Sequence, residues 1–173
     1  MGYVAQGLLV LMRKKPFADI SIKEIAEKAG VNRSTYYRHF NSKEDVLRFY
    51  FGKILHEYEA VLDKALSYKN HLQKLLSHYL KYKKELLSIY KNDLAHIILD
   101  VLNGYFLGIS ENKDISFEEK YRIYWHTGGI YNTFLLWFSS GMKESPERMS
   151  EMYNTIIADK NDREFLRKPF LLV

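Results

Sequence analysis

Apolar residues recur along this chain at helical spacing, and the strict alternation that builds strands is hard to find anywhere between its turn residues. Leu8, Leu9, Leu11 and Met12 predict a first helix, ended by "KKPF" because proline disfavours helical geometry in the residue before it. Phe17 and Ile20 are expected to pack back against it. "SIKE", Ser21 to Glu24, has the form of a capping box and opens a second helix with Ile22, Ile25, Ala26 and Ala29 on one side. Gly30 then supplies the left-handed backbone that residues with a Cβ resist. Asn32 suits the N-cap of a third helix running to about Phe40, with Val31, Tyr36 and Phe40 turned inward. Ser42 caps a long helix from Lys43 to about Tyr68. Beyond it the spacing predicts helices over 72–82, 85–107, 117–142 and 146–159, with a loop around "SENKDIS". "ESPE" starts the last of these, Ser145 as cap and Pro146 in the first helical position. The expected fold class is all-α: an N-terminal three-helix head over residues 1–46 and a C-terminal helical body over 47–173, joined through the helix after Ser42.

A chain of 173 residues that is 47% hydrophobic and 15% aromatic can build a real core, which argues against disorder. The absence of cysteine excludes disulfides, thiolate catalysis and cysteine-ligated metals, and fits a reducing compartment. No secretory signal pattern opens the chain, so a cytoplasmic location is expected. The longest uncharged run, Ile123 to Met142, has the length of a membrane span. Its His126, Thr127, Asn132, Thr133, Ser139, Ser140 and three glycines argue against that reading. Residues 1–50 hold nine Lys/Arg against five Asp/Glu, whereas residues 51–173 hold seventeen against sixteen. The basic excess sits in the head, and from Lys28 to Lys43 there is no acidic residue at all. That asymmetry points to a polyanionic partner.

A capped helix, a short turn holding glycine and a second short helix make a helix-turn-helix, which sets its second helix into the major groove of double-stranded DNA. Arg33, Ser34 and Thr35 fall in the first turn after Asn32, where side chains reach base edges, and Arg33 has the two donors that match guanine. Tyr37, Arg38, His39 and Lys43 are expected to flank the groove and meet phosphates. Ser21, at the start of the second helix, offers first-turn amides and a positive dipole end to another phosphate.

The run "SIKEIAEKAGVNRSTYYRHFNSKEDVL" resembles the DNA-binding head of the TetR/AcrR family of bacterial transcription regulators. The likeness is carried by Ile25-Ala26, Ala29-Gly30-Val31, Thr35, Tyr37, His39-Phe40 and Ser42-Lys43-Glu44, and covers residues 5 to 50. It implies an all-helical dimer whose body binds a small effector. By position, Tyr37, His39 and Lys43 are similar to that family's phosphate-contacting residues, and Ser34 and Thr35 to its groove-facing ones. Ser34 stands where glycine is common, which bears on base preference. "GGIYNTFLLWFSSGMKESPERMSEM" resembles the body of a Firmicutes-type subgroup that includes activators of dihydroxyacetone metabolism.

In the body, Gly128 and Gly129 each cost roughly 1 kcal/mol of helix propensity, so close helix crossing is expected there. The two helices from Ile123 to Met142 and after Pro146 are expected to pair with their symmetry mates, through Tyr131, Phe138, Met142, Met149, Tyr153 and Ile156. Tyr90, Phe106, Trp125 and Phe134 are candidates to line an effector pocket, weighed against plain core packing. His71 and His78 share a helix face, but without a ligand cluster no metal site is expected, and no cofactor. No phosphate-cradling glycine loop, nucleophile elbow or paired carboxylates support an enzyme. The reading is a ligand-responsive homodimeric regulator on a palindromic operator, repressing where operator overlaps promoter. The alternative is an adaptor or coactivator acting through protein contacts of its body.

Overall fold

The computed structural model describes residues 1–61, 66–110, 116–157 and 163, and every regular element among them is helical, as the spacing predicts. The head comprises α1 (Gly2–Met12), a 3₁₀ turn at Phe17–Asp19, α2 (Ile22–Ala29) and α3 (Arg33–Tyr37). The body comprises α4 (Lys43–Glu59), α5 (Tyr68–Leu80), α6 (Lys83–Lys91), α7 (His96–Ser110), α8 (Phe117–Ser139) and α9 (Pro146–Ile156).

Serine caps mark the starts that the sequence signals. Ser21 and Glu24 close a reciprocal capping box on α2, and Ser42 and Asp45 close another on α4. Ser145 caps α9 with Pro146 in its first turn. Gly30 ends α2 at φ 67, its amide donating to the carbonyls of Ala26 and Glu27. Asn32 holds the N-cap position of α3 without a side-chain cap bond, and α3 stops at Tyr37, short of Phe40.

Two expected helices differ. α4 ends at Glu59 and Tyr68 opens α5 instead, residues 62–65 lying outside the described residues. The single helix expected over 85–107 is two, α6 and α7, because Asp93 takes a left-handed φ of 60. Beside it the Asn92 amide donates to the Ser88 carbonyl at 2.8 Å, and its oxygen accepts the Phe17 N–H at 2.9 Å. The break is therefore a joint with the head. Most of the "SENKDIS" loop, 111–115, and the expected end of α9 at Asp159 fall outside the described residues.

Two apolar cores result. One gathers Leu8, Leu9, Ile20, Ile25 and Tyr36 of the head with Val46 and Leu47 of α4 and with Ile89, Leu94 and Ile97 from the α6–α7 corner. The other fills the body around Phe51, Ile54, Leu76, Tyr79, Phe134 and Trp137. α4 contributes to both, so a tilt of α4 moves the head relative to the body. Arg13–Glu85 at 2.5 Å ties the same joint from outside, and Arg48–Asp100 at 3.1 Å fastens α4 to α7.

Gly7 is where α1 and α2 approach closest. A Cβ there would stand 3.3 Å from both the Ala29 nitrogen and the Ile25 oxygen, main-chain atoms that cannot swing aside. Gly7→Val is expected to destabilise the chain by about 1–3 kcal/mol through overpacking. Gly52→Ala, in mid-α4 with nothing within 4 Å, should instead gain about 0.5–1 kcal/mol. Urea midpoints of the two variants check both signs.

Candidate nucleic-acid interface

The helix-turn-helix presents the predicted surface. Tyr36 is fully buried beneath α3, which turns Arg33, Ser34 and Tyr37 outward together and leaves Thr35 half-buried at the edge. The Arg33 guanidinium lies 5.9 Å from the centre of the Tyr37 ring, a cation–π distance that holds the arginine extended along the helix face. Asn32, Arg38 and His39 are exposed beside them. His39 sets its ring edgewise to the buried Phe40 at 6.4 Å.

Ser21 is exposed at the N-terminus of α2, where its hydroxyl meets the Glu24 carboxylate at 2.8 Å. A hydrogen bond from Lys15, followed by the Ser21 amide and hydroxyl, holds the Glu24 carboxyl down to about 2. The capping box thus stays ionised throughout the neutral range.

Lys43 behaves differently from the expected phosphate ligand. Its ammonium donates to the carbonyls of Phe17 at 2.7 Å, Ile20 at 2.8 Å and Ala18 at 3.3 Å, and sits 4.5 Å from the Phe17 ring centre. All three donors are engaged in clamping the 3₁₀ turn onto the start of α4.

The predicted effector residues separate. Phe106 and Phe134 line an enclosed cavity of about 40 Å³ between α4, α5, α7, α8 and α9, whose polar margin includes His71 and Tyr153. That is room for a few water molecules. Tyr90 lies elsewhere, its ring edgewise to Phe138 at 6.0 Å. Trp125 is 81% exposed on the outer side of α8 and lines no interior space.

The dimer candidates also need correction. Phe138, Met142, Met149 and Tyr153 are buried in the chain's own core, where α9 packs along α5 and the Tyr153 hydroxyl bonds Thr133. They offer no surface to a second copy. Tyr131 is half-buried and Ile156 is exposed. The outer side of α8 carries an exposed stripe: Phe117, Tyr121, Trp125, Gly128, Asn132 and Leu136 fall within an arc of about 100°. Phe117, Tyr121 and Leu136 are 70%, 63% and 71% exposed. The tight crossing expected at Gly128 and Gly129 does not occur within the chain, where a Cβ at either would meet nothing within 4 Å. Among the described residues no helix is long and apolar enough to cross a membrane, and no group of three or more side chains could hold a metal ion.

Comparison with known proteins bears on this geometry. The model for bacterial regulatory proteins of the tetR family matches residues 7–48, and that for a transcriptional regulator C-terminal region matches 67–159. The HTH-type transcriptional regulator EthR of Mycobacterium tuberculosis is 36% identical over 52 residues, 30% of this chain and 24% of that protein. The match thus spans about a quarter of the length of those curated relatives. Among solved structures, Lin0861 of Listeria innocua superposes with a TM-score of 0.74 at 23% identity, covering 91% of this chain and 90% of that one. The dihydroxyacetone kinase operon activator DhaS gives 0.59 at 20% identity, covering 91% and 93%. A tetR-family transcriptional regulator from Streptomyces coelicolor gives 0.52 at 14%, covering 98% and 90%. At these identities the superpositions speak for the fold alone.

Proposed function

This chain belongs to the TetR family of bacterial transcriptional regulators with a DNA-binding helix-turn-helix, and from that premise we propose that it works as a homodimer on a palindromic operator. The observation that carries the reading is the acid-free surface of α3, with Arg33, Ser34 and Tyr37 turned outward from a buried Tyr36. Two such helices must stand about 34 Å apart to read half-sites one turn away, which requires a symmetric pair. The outer stripe of α8 supports pairing there, since its open glycines let a second helix approach closely. A change in the body that tilts α4 alters the separation of the two recognition helices. Operator occupancy over a promoter would repress, and a DNA-bound role accords with a cytoplasmic location.

Fluorescence anisotropy with duplexes tiled across the upstream DNA tests this reading; a response independent of sequence overturns it. Side chains then sort by role. Arg33→Ala should relax discrimination at particular bases by about 1–3 kcal/mol, whereas Arg38→Ala should weaken every sequence alike and lower the salt slope by about 1. Lys43→Ala should weaken binding with the slope unchanged, because its ammonium holds the 3₁₀ turn rather than a phosphate.

A further inference from the structure

We propose that the cleft between α1 and α6 binds a small phosphorylated anion carrying two or more phosphoryl groups. The cleft is an open groove of about 760 Å³, and its wall includes Met12, Arg13, Lys15, Lys84, Leu87 and Lys91. That volume falls in the usual range for small-molecule sites, which the interior cavity of about 40 Å³ does not approach. No acidic side chain lines it.

The cations are not equivalent. Arg13 is answered by Glu85 at 2.5 Å and Lys15 by Glu24 at 2.7 Å. Lys84 and Lys91 enter no ion pair among the described residues. Lys91 has a local explanation, since it lies in the last turn of α6 where the helix dipole favours a cation. Lys84 has the opposite: it occupies the first turn of α6, the end at which that dipole disfavours positive charge. The first-turn acid, Glu85, is taken by Arg13, so the exposed Lys84 has no anionic partner of its own and an anion in the cleft would supply one. Seven residues separate it from Lys91, about 10.5 Å along the axis, and each flexible stem lets its ammonium reach inward. Two unanswered lysines call for a ligand with at least two anionic groups. Met12 and Leu87, with Pro16, supply apolar wall for the carbon skeleton between them.

The site spans the joint. α1 belongs to the head and α6 to the body, and the Arg13–Glu85 pair and the Phe17 N–H to Asn92 bond cross the same seam. An anion that draws Arg13 from Glu85 therefore shifts the head, and by reciprocity operator DNA changes the anion's affinity by the same factor. This regulatory consequence rests on the operator-binding reading; the site itself does not.

Calorimetry of the full chain with sodium triphosphate, ATP and orthophosphate at 0.15 M ionic strength tests the site. One site per chain is expected, with triphosphate and ATP binding at least about tenfold tighter than orthophosphate, as charge-assisted contacts to two lysines require. The double variant Lys84→Ala/Lys91→Ala should weaken triphosphate at least about tenfold, and Lys74→Ala/Lys81→Ala, in α5 and at its C-terminal cap, which removes the same charge elsewhere, by less than about twofold. Equal losses in both double variants, or no binding of triphosphate and ATP by the native chain, overturn the proposal. So does a Lys84→Ala/Lys91→Ala chain that keeps triphosphate and loses duplex DNA, which makes the cleft a contact to the DNA flank. Duplex anisotropy in the same buffer separates the two readings. Triphosphate binding without duplex binding leaves the cleft and refutes the operator, and the reverse result does the opposite.

Discussion

A chain carrying Trp125→Glu and Leu136→Glu is expected to sediment as a folded monomer and to lose operator affinity at least a hundredfold. Both side chains project from the outer side of α8, so the monomer's own packing loses nothing when they change. The inner side of the same helix, with Ile123, Phe134, Trp137 and Phe138, stays buried in the body core. In a symmetric pair, each new carboxylate faces the same stripe of its mate, and like charges in a desolvated contact are strongly disfavoured. The asymmetry of scale decides the outcome: exposed substitutions cost the monomer about 0.5 kcal/mol or less, whereas losing a second half-site removes at least about 2.7 kcal/mol of binding. Sedimentation velocity and duplex anisotropy read the two halves of the result. A variant that remains a dimer at native affinity places the interface elsewhere.

How legible each part was follows from the signal it leaves in residue type. The head was readable because its turns are made by chemistry: Ser21 with Glu24, Gly30 at a left-handed φ, and Ser42 with Asp45 are each visible as letters. The α6–α7 break left a fainter mark. Asn92-Asp93 is a pair that tolerates left-handed backbone, but the apolar spacing continues across it and reads as one helix. Lys43 reads as outward-facing from charge and position, while the carbonyls of Phe17, Ala18 and Ile20 that hold its ammonium arise only from the 3₁₀ turn.

α8 resisted for a different reason. It is aromatic on opposite sides, so helical periodicity finds two apolar stripes and cannot say which is core. Trp137 went inside and Trp125 outside, 2% and 81% exposed. The choice is made by α7 and α6, with Tyr79 of α5 and Tyr153 of α9, which close over one stripe only. The four pocket candidates part company for a related cause, only Phe106 and Phe134 lining the interior cavity. Body aromatics fill space against one another, Tyr79 on Phe134 at 5.4 Å and Phe51 on Tyr79 at 6.0 Å, and leave little empty volume. The cleft at the joint, by contrast, takes its charge from Arg13, Lys15, Lys84 and Lys91, which no apolar pattern reports.

Tyr36→Ala is expected to cost about 3–5 kcal/mol and to abolish operator binding, whereas Tyr36→Phe costs about 1 kcal/mol and leaves binding nearly intact. Tyr36 joins the two halves of the reading device. Its ring is fully buried against Phe40 at 5.8 Å and Tyr37 at 5.5 Å, and its hydroxyl donates to the Ser42 carbonyl at 2.8 Å. Burial, reinforced by the Asp45 and Glu44 charges, pushes the phenol up to about 12, so it remains a protonated donor throughout the neutral range. Alanine removes the floor under α3 and the link to the cap of α4 together; phenylalanine removes the link alone. Both tryptophans lie in the body and only Trp137 is buried there, so the shift in emission on unfolding follows that core, while far-ultraviolet dichroism follows all helices. In urea the alanine variant should therefore lose part of its helical signal before the tryptophan signal moves, a separation that two-state unfolding forbids. Coincident transitions at the native midpoint, with operator affinity retained, would show that α3 is held by something other than Tyr36.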